Sequence, residues 1–125
     1  MRNWRSRLGK KGEMLARKFL RGKGYKIIAV NFSCRYGEID LICRDRDVTV
    51  FVEVKTRSNC FYGLPQHSIG TKKINRLFST AQFYISNYAR GQSEEGAFRF
   101  DVVSIIWGET IQIELLKDAL TRNLH

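Results

Sequence analysis

Two periodicities alternate along this chain. Leu8, Gly12, Leu15, Ala16, Phe19 and Leu20 recur at helical spacing and predict a helix over residues 5–22, with Gly24 where a C-terminal glycine belongs. Lys10, Arg17, Lys18 and Arg21 fall mostly on the opposite side, and Glu13 lies at the edge of the apolar stripe. Residues 25–32, 38–43 and 48–55 are short runs rich in β-branched and aromatic residues, and they predict three strands. The second and third are joined through Arg44-Asp45-Arg46-Asp47. Residues 58–70 hold the only proline, Pro65, and two glycines, and read as a loop. Thr71 then reads as the N-cap of a helix to Tyr88, with Ile74, Leu77, Phe78, Ala81, Ile85 and Tyr88 as its buried stripe. A polar loop over 90–97 leads to strands over 98–107 and 110–115. The order is α-β-β-β-α-β-β: an α/β (α+β) mixed sheet flanked by helices, in one domain over 1–125. There is no repeat, low-complexity tract or interdomain linker.

Charge intrudes on this pattern at one place. Asp40 and the tripeptide Glu53-Val54-Lys55 sit inside apolar strands, where charged side chains are rarely buried without a partner or a metal. Side chains alternate along a strand, so Glu53 and Lys55 share a face. A two-residue loop at Asp45-Arg46 would set Asp40 opposite Phe51, and a four-residue loop over 45–48 would set it opposite Glu53. Either even-length loop leaves Asp40, Glu53 and Lys55 on one face, within about 5–8 Å at Cβ. Two carboxylates that close repel, and burial sharpens the conflict. A divalent ion such as Mg²⁺ resolves it while keeping positions for water and phosphate oxygens. Lys55 would then orient the water or stabilise charge on the phosphorane. The bare Glu-Val-Lys tripeptide fits an ordinary surface salt bridge better, and only the Asp40 strand, the hairpin spacing and the acid-free basic stretch together bring the metal reading level with it. Glu13 reads either as an i,i+4 partner of Arg17 or as a further active-site acid. Glu38 shares a face with Asp40 by parity but sits at the strand's edge, and Asp101 reads as a partner of Arg57 or Arg99.

Composition decides what that cluster would act on. The net charge is +10 and the sequence pI about 9.9. Residues 1–26 carry ten Lys or Arg against Glu13 alone, and residues 54–93 hold no acid at all. A solubilising surface would not need such segregation; neutralising phosphates would, which points to nucleic acid. Lys72, Lys73 and Arg76 crowd the first turns of the second helix, where the dipole already favours an anion, so phosphate fits there; a solvated face is the plainer alternative. No apolar run approaches a membrane span, and no basic stretch has the apolar face of an interfacial helix. The basic N-terminus lacks the apolar core and cleavage site of a secretory signal. Cys34, Cys43 and Cys60 form no C-x-x-C pair, so reduced thiols in a cytoplasmic setting are expected, without zinc. His67 is a single loop histidine with no catalytic pattern around it.

Gly12-Glu13, Ala16, Phe19-Leu20, Gly24-Tyr25 and Asn31, then Gly37-Glu38-Ile39-Asp40-Leu41-Ile42 and Phe51-Val52-Glu53-Val54-Lys55-Thr56-Arg57, resemble the YraN family. The resemblance continues through Gly63, Pro65, Lys72 and Arg99-Phe100-Asp101-Val102-Val103 and covers nearly the whole chain. That family is classed with the PD-(D/E)XK endonuclease-like fold, similar to restriction endonucleases and archaeal Holliday junction resolvases. The resemblance implies a restriction-endonuclease-like core with Asp40, Glu53 and Lys55 as its acid, acid-x-Lys pattern and Glu13 as the first-helix acid. Ile39 stands where the superfamily's proline would be, and the tail Lys117-Asp118-Ala119-Leu120 departs from the family pattern. The expected function is a nuclease dependent on Mg²⁺ or Mn²⁺ acting on DNA, branched or flapped DNA included. Asp40, Glu53 and Glu13 are its expected metal ligands, and Lys10, Lys11, Arg57, Lys72, Lys73 and Arg76 its backbone-binding residues. The rival expectation is a binding module without turnover that keeps the fold. An RNA-directed role lacks an aromatic platform of the RRM type. Paired cuts would call for a homodimer.

Overall fold

In a computed structural model, residues 4–58, 70–88 and 97–120 are described, without the side chains of 4–8. They form α1 (Trp4–Gly22), β1 (Lys26–Cys34), β2 (Gly37–Asp45), β3 (Val48–Ser58), α2 (Thr71–Tyr88), β4 (Phe98–Trp107) and β5 (Gln112–Leu116). The five strands make one sheet in the order β1-β2-β3-β4-β5. Neighbours are antiparallel except β3 and β4, which run parallel because α2 carries the chain back between them. This is the mixed, helix-flanked α+β layout expected of a restriction-endonuclease-like core. Residues 59–69 of the predicted loop over 58–70, Cys60 and His67 among them, and residues 90–96 of that over 90–97 lie outside the described residues. No helix among the described residues is long and apolar enough to cross a membrane.

Each helix covers one face of the sheet. Ala16 and Leu20 of α1 pack with Leu41, Cys43, Val50, Val52, Val103 and Ile105. Leu77, Ala81 and Tyr84 of α2 pack with Ile42, Phe51, Phe100 and Val102 on the other face. Central strands covered on both sides become near-continuous apolar runs, which is why β3 reads Val50-Phe51-Val52 without a polar residue between. Tyr84 belongs to the buried stripe of α2, whereas Tyr88 is more than half exposed. Cys34 and Cys43 are free thiols; burial, aided by the charge of Asp101, pushes the Cys43 thiol up to about 12.

The helix ends show how local chemistry sets the elements. At the end of α1, Tyr25 N–H bonds the Leu20 carbonyl (3.0 Å) and Gly24 N–H the Arg21 carbonyl (3.0 Å). Gly24 has φ of +92°, so this is a Schellman closure that only a residue without Cβ enters freely. At the start of α2, the Gly70 carbonyl accepts Ile74 N–H (3.0 Å), so Gly70 takes the cap position and Thr71 becomes the first helical residue. The expected Thr71 cap is thus displaced by one residue.

The β2–β3 hairpin turns through Arg46-Asp47 alone, with Asp45 opposite Val48 and Leu41 opposite Val52. Arg46 supplies the left-handed φ, 59°, that so tight a reversal demands. This register is the one that brings Asp40 level with Glu53, reached by a shorter turn than the four-residue loop considered from the sequence.

Candidate active site

Besides the bulge between Ile27 and Ala29 of β1, a row of the sheet breaks the two-residue alternation of its strands. By the flanking register, Asn31 of β1, Asp40 of β2 and Glu53 of β3 fall level with one another. Ala29 and Ile42 pack on the α2 side, so strict alternation would send Phe32 and Ile39 to the α1 side. Both instead join the α2-side core, where the Phe32 ring meets Tyr84 edge-on at 5.3 Å. The reversal is absorbed at Asn31, with φ of 53°, and at Asp40. Asparagine tolerates that left-handed conformation better than most residues.

The consequence is chemical. Pairing between β2 and β3 stops at Leu41 and Val52, and there the Asp40 carboxylate itself accepts the Val54 amide at 2.8 Å. Asp40 therefore lies in the cleft between two strands and reaches openings on both sides of the sheet. On the α2 side, Asp40, Glu53, Gly37, Glu38, Lys73 and Arg76 line a cavity of about 360 Å³. On the α1 side, Asp40, Glu13, Lys10, Asn31, Val54 and Thr56 line one of about 470 Å³. Helix α1 approaches closely enough that a Cβ on Gly12 would sit 2.3 Å from Thr56 Oγ1, so glycine is required there and Glu13 is held near the strands.

Electrostatics concentrate on Asp40 and Glu53. The two carboxyl groups are near enough to act on each other: burial, then the charge of Glu53, pushes Asp40 up to about 7, with Glu13 adding to the rise. The Val54 amide opposes it. Glu53, buried, pairs with the Lys73 ammonium of α2. Two hard carboxylates side by side, facing solvent-filled cavities, fit a divalent ion that keeps places for water and phosphate oxygens.

The remaining sequence-derived residues divide around this pair. Glu13 accepts a hydrogen bond from Asn31 (3.1 Å) in the α1-side cavity, and no three His, Cys, Asp or Glu among the described residues converge on one point. Lys55 follows Glu53 by two residues on β3, level with Ser104 of β4, and lines neither cavity. Lys10 borders the α1-side opening, and Lys73 and Arg76 the α2-side one. Lys11 and Lys72 are exposed outside both, and Arg57 is half-buried near the end of β3. Asn31, to which sequence reasoning assigned no role, and the pairing of Lys73 with Glu53 emerge only from the fold. Glu38 lines the α2-side cavity at its exposed edge.

Asp101 goes elsewhere. It accepts Tyr25 O–H (2.8 Å), Arg99 Nε–H (3.0 Å) and the Asp118 amide (2.9 Å), and Arg99 also bonds Asp45 (2.8 Å). Arg99, rather than Arg57, is its partner among those two candidates.

Residues 12–105 match the model of the family described as "Uncharacterised protein family UPF0102". A UPF0102 protein of Syntrophus aciditrophicus (strain SB) is 44% identical over 114 residues, spanning 90% of this chain and 87% of the relative. One of Clostridium tetani (strain Massachusetts / E88) is 39% identical over 122 residues, spanning 95% and 98%. One of Clostridium botulinum (strain 657 / Type Ba4) is 39% identical over 115 residues, spanning 90% and 92%.

Proposed function

This chain belongs to the UPF0102 (YraN) family, and from that premise we propose that it is a metal-dependent nuclease of the PD-(D/E)XK type acting on DNA, branched or flapped DNA included. The reading is supported above all by the placing of Asp40 level with Glu53, two carboxylates crowded on apolar strands and lining one opening edged with basic residues. Lys73 answers Glu53, but among the described residues Asp40 is set against acids and beside room for a ligand.

Asp40 and Glu53 are the residues to hold Mg²⁺ or Mn²⁺, with Glu13 near enough to raise the charge density at Asp40. When bound, such an ion polarises the phosphoryl group and makes water a better nucleophile at neutral pH. The Val54 amide fixes the direction of the Asp40 carboxylate. Lys55, on Glu53's face of β3, orients the attacking water, and Lys10, Lys11, Arg57, Lys72, Lys73 and Arg76 hold phosphates. The N-terminus of α2 adds its dipole beside Lys73.

Purified Glu53→Ala and Lys55→Ala proteins are expected to lose Mn²⁺-dependent cleavage of single-stranded, duplex and branched DNA while keeping their fold by circular dichroism. Cleavage equal to the parent's in either variant would overturn the assignment. One observation favours a second reading, a binding module without turnover: Lys73 already supplies Glu53 with a cation from within the chain. Calorimetric titration with Mn²⁺ separates the two. Saturable binding that Asp40→Ala removes supports the nuclease, and no binding in the presence of DNA supports the module.

A further inference from the structure

Beside the carboxylate pair, α2 carries a second recess of different chemistry. It is a groove of about 500 Å³ whose lining includes Tyr36, Phe83 and Phe98 with Gln82, Ser86 and Asn87. Tyr36 and Phe98 are 41% and 44% exposed, unusual for large rings that could have joined the core below them. The Tyr36 ring leans on Phe83, with centroids 6.1 Å apart and planes tilted by 60°. Arg35 sets its guanidinium 5.0 Å from the Tyr36 centroid and donates to the Tyr36 hydroxyl at 3.0 Å. The ring is thus held in place while part of it still meets solvent.

The two recesses are neighbours by construction. Tyr36 borders the groove, while the next residue, Gly37, borders the carboxylate cavity and lies against Arg76 and Thr80 of α2. Along α2, Arg76 and Leu77 line the cavity and Phe78 and Ser79 line the groove. A strand whose phosphate lay at Asp40 and Glu53 would carry its adjoining bases toward Tyr36.

We propose that this groove binds an unpaired nucleobase, stacked on Tyr36 and read at its edge by Gln82 and Asn87, so that the preferred substrate has a single-stranded nucleotide beside the phosphate to be cut. Aromatic faces accept any base, and stacking needs the base out of its duplex. Amide side chains offer both a donor and an acceptor to a base edge. Here the Nε2 of Gln82 reaches Ser86 Oγ (3.1 Å) and the Nδ2 of Asn87 the Phe83 carbonyl (2.8 Å), contacts that orient both amides on the groove side of α2. The excess of positive charge, +10 over the chain, suits a polyanion better than an apolar peptide. A duplex end cannot bring a base onto Tyr36 without fraying, whereas a flap, a junction arm or a single strand can.

The inference rests on the nucleic-acid reading of the carboxylate site but not on turnover, so it is tested by binding. Fluorescence anisotropy would follow a labelled oligothymidylate, the matching oligouridylate and a hairpin duplex, without divalent metal and at low salt. Tyr36→Ala is expected to weaken single-strand binding by about five- to 150-fold, as the loss of one base–aromatic stack does. Tyr36→Phe should bind like the parent, and duplex binding should change less than about twofold in all three proteins. The DNA and RNA arms report which sugar the groove accepts. Equal single-strand affinity for parent and Tyr36→Ala, or an equal loss on duplex, overturns the base-binding groove and leaves the nuclease reading standing. Absence of binding to all three probes overturns both.

Discussion

The sheet carries two acidic centres, and they are built on opposite terms. Asp101 is fully buried and satisfied, with a tyrosine hydroxyl, a guanidinium and a backbone amide around its carboxylate. The same partnership holds Arg99 protonated well above its ordinary range against the opposing effect of burial, while burial first, and then Asp101, holds Tyr25 far above its own. Asp40 also receives one backbone amide, but the charge that acts on it most strongly is another carboxylate's. A buried acid with its complement of donors ties elements together, here α1's exit, β4 and the segment after β5. A buried acid set against an acid is destabilising in the apoprotein unless a cation or a proton intervenes. The difference separates the acid that maintains the fold from the one available for chemistry.

The largest test of that division is catalytic. Asp40→Ala should reduce Mn²⁺-dependent cleavage by more than the roughly 100-fold that loss of an outer-shell partner costs a metal site. Asp101→Asn, at a temperature where the protein is folded, should leave the rate of the folded fraction nearly unchanged. Equal losses in the two would erase the distinction.

Stability should reverse the order. Asp101→Ala leaves Arg99 with Asp45 as its remaining carboxylate, beside the Tyr25 hydroxyl, and should cost about 3–5 kcal/mol in urea unfolding, the usual penalty for breaking a buried charge pair. A cost below about 1 kcal/mol would mean that the Asp101 network is not the staple its hydrogen bonds imply.

Asp40 should instead limit stability as pH rises. Its value is raised in the folded state, from 3.8 to about 7, so the folded protein binds that proton more tightly than the unfolded chain. The stability it contributes is complete below about pH 4 and is lost as pH rises through about 7. Asp40→Asn, which has no carboxyl to ionise, should be more stable than the parent at pH 8 in EDTA by about 1–4 kcal/mol, and the difference should vanish near pH 4. Thermal melts across that range check the slope, and a parent curve parallel to the variant's would contradict the crowded-carboxylate account.

The smallest expected effect concerns Lys73. If its ammonium holds the place a divalent ion would take at Glu53, Lys73→Met should tighten Mn²⁺ binding by roughly fivefold, the worth of a partly exposed ion pair. Weaker Mn²⁺ binding in that calorimetric measurement would show that Lys73 supports the site instead of competing for it.

Much of this arrangement was legible in the sequence. Strand parity alone set Glu53 and Lys55 on one face, and an even-length hairpin put Asp40 beside them. The turn has the shorter of the two lengths the sequence offered, moved one residue along to Arg46-Asp47, and so yields the register of the longer one. Helix stripes were readable from spacing, although Tyr84 and Tyr88 exchanged roles where the aromatic contacts of Phe32 and Phe51 decided which ring was covered.

What the sequence determined by itself was everything carried by short-range period: element order, the faces of β3, the apolar stripes and the glycine that closes α1. Only the tertiary structure decided where the acids end up. Tyr25 meets Asp101 across 76 residues, and no periodic trace announces such a contact. Asp40 opens to both faces because alternation reverses at its own row, an event that a rule built on alternation must miss. And the cation beside Glu53 is Lys73, brought by a helix that crosses the sheet, because packing of α2 against β2 and β3 chooses neighbours by shape and not by distance along the chain.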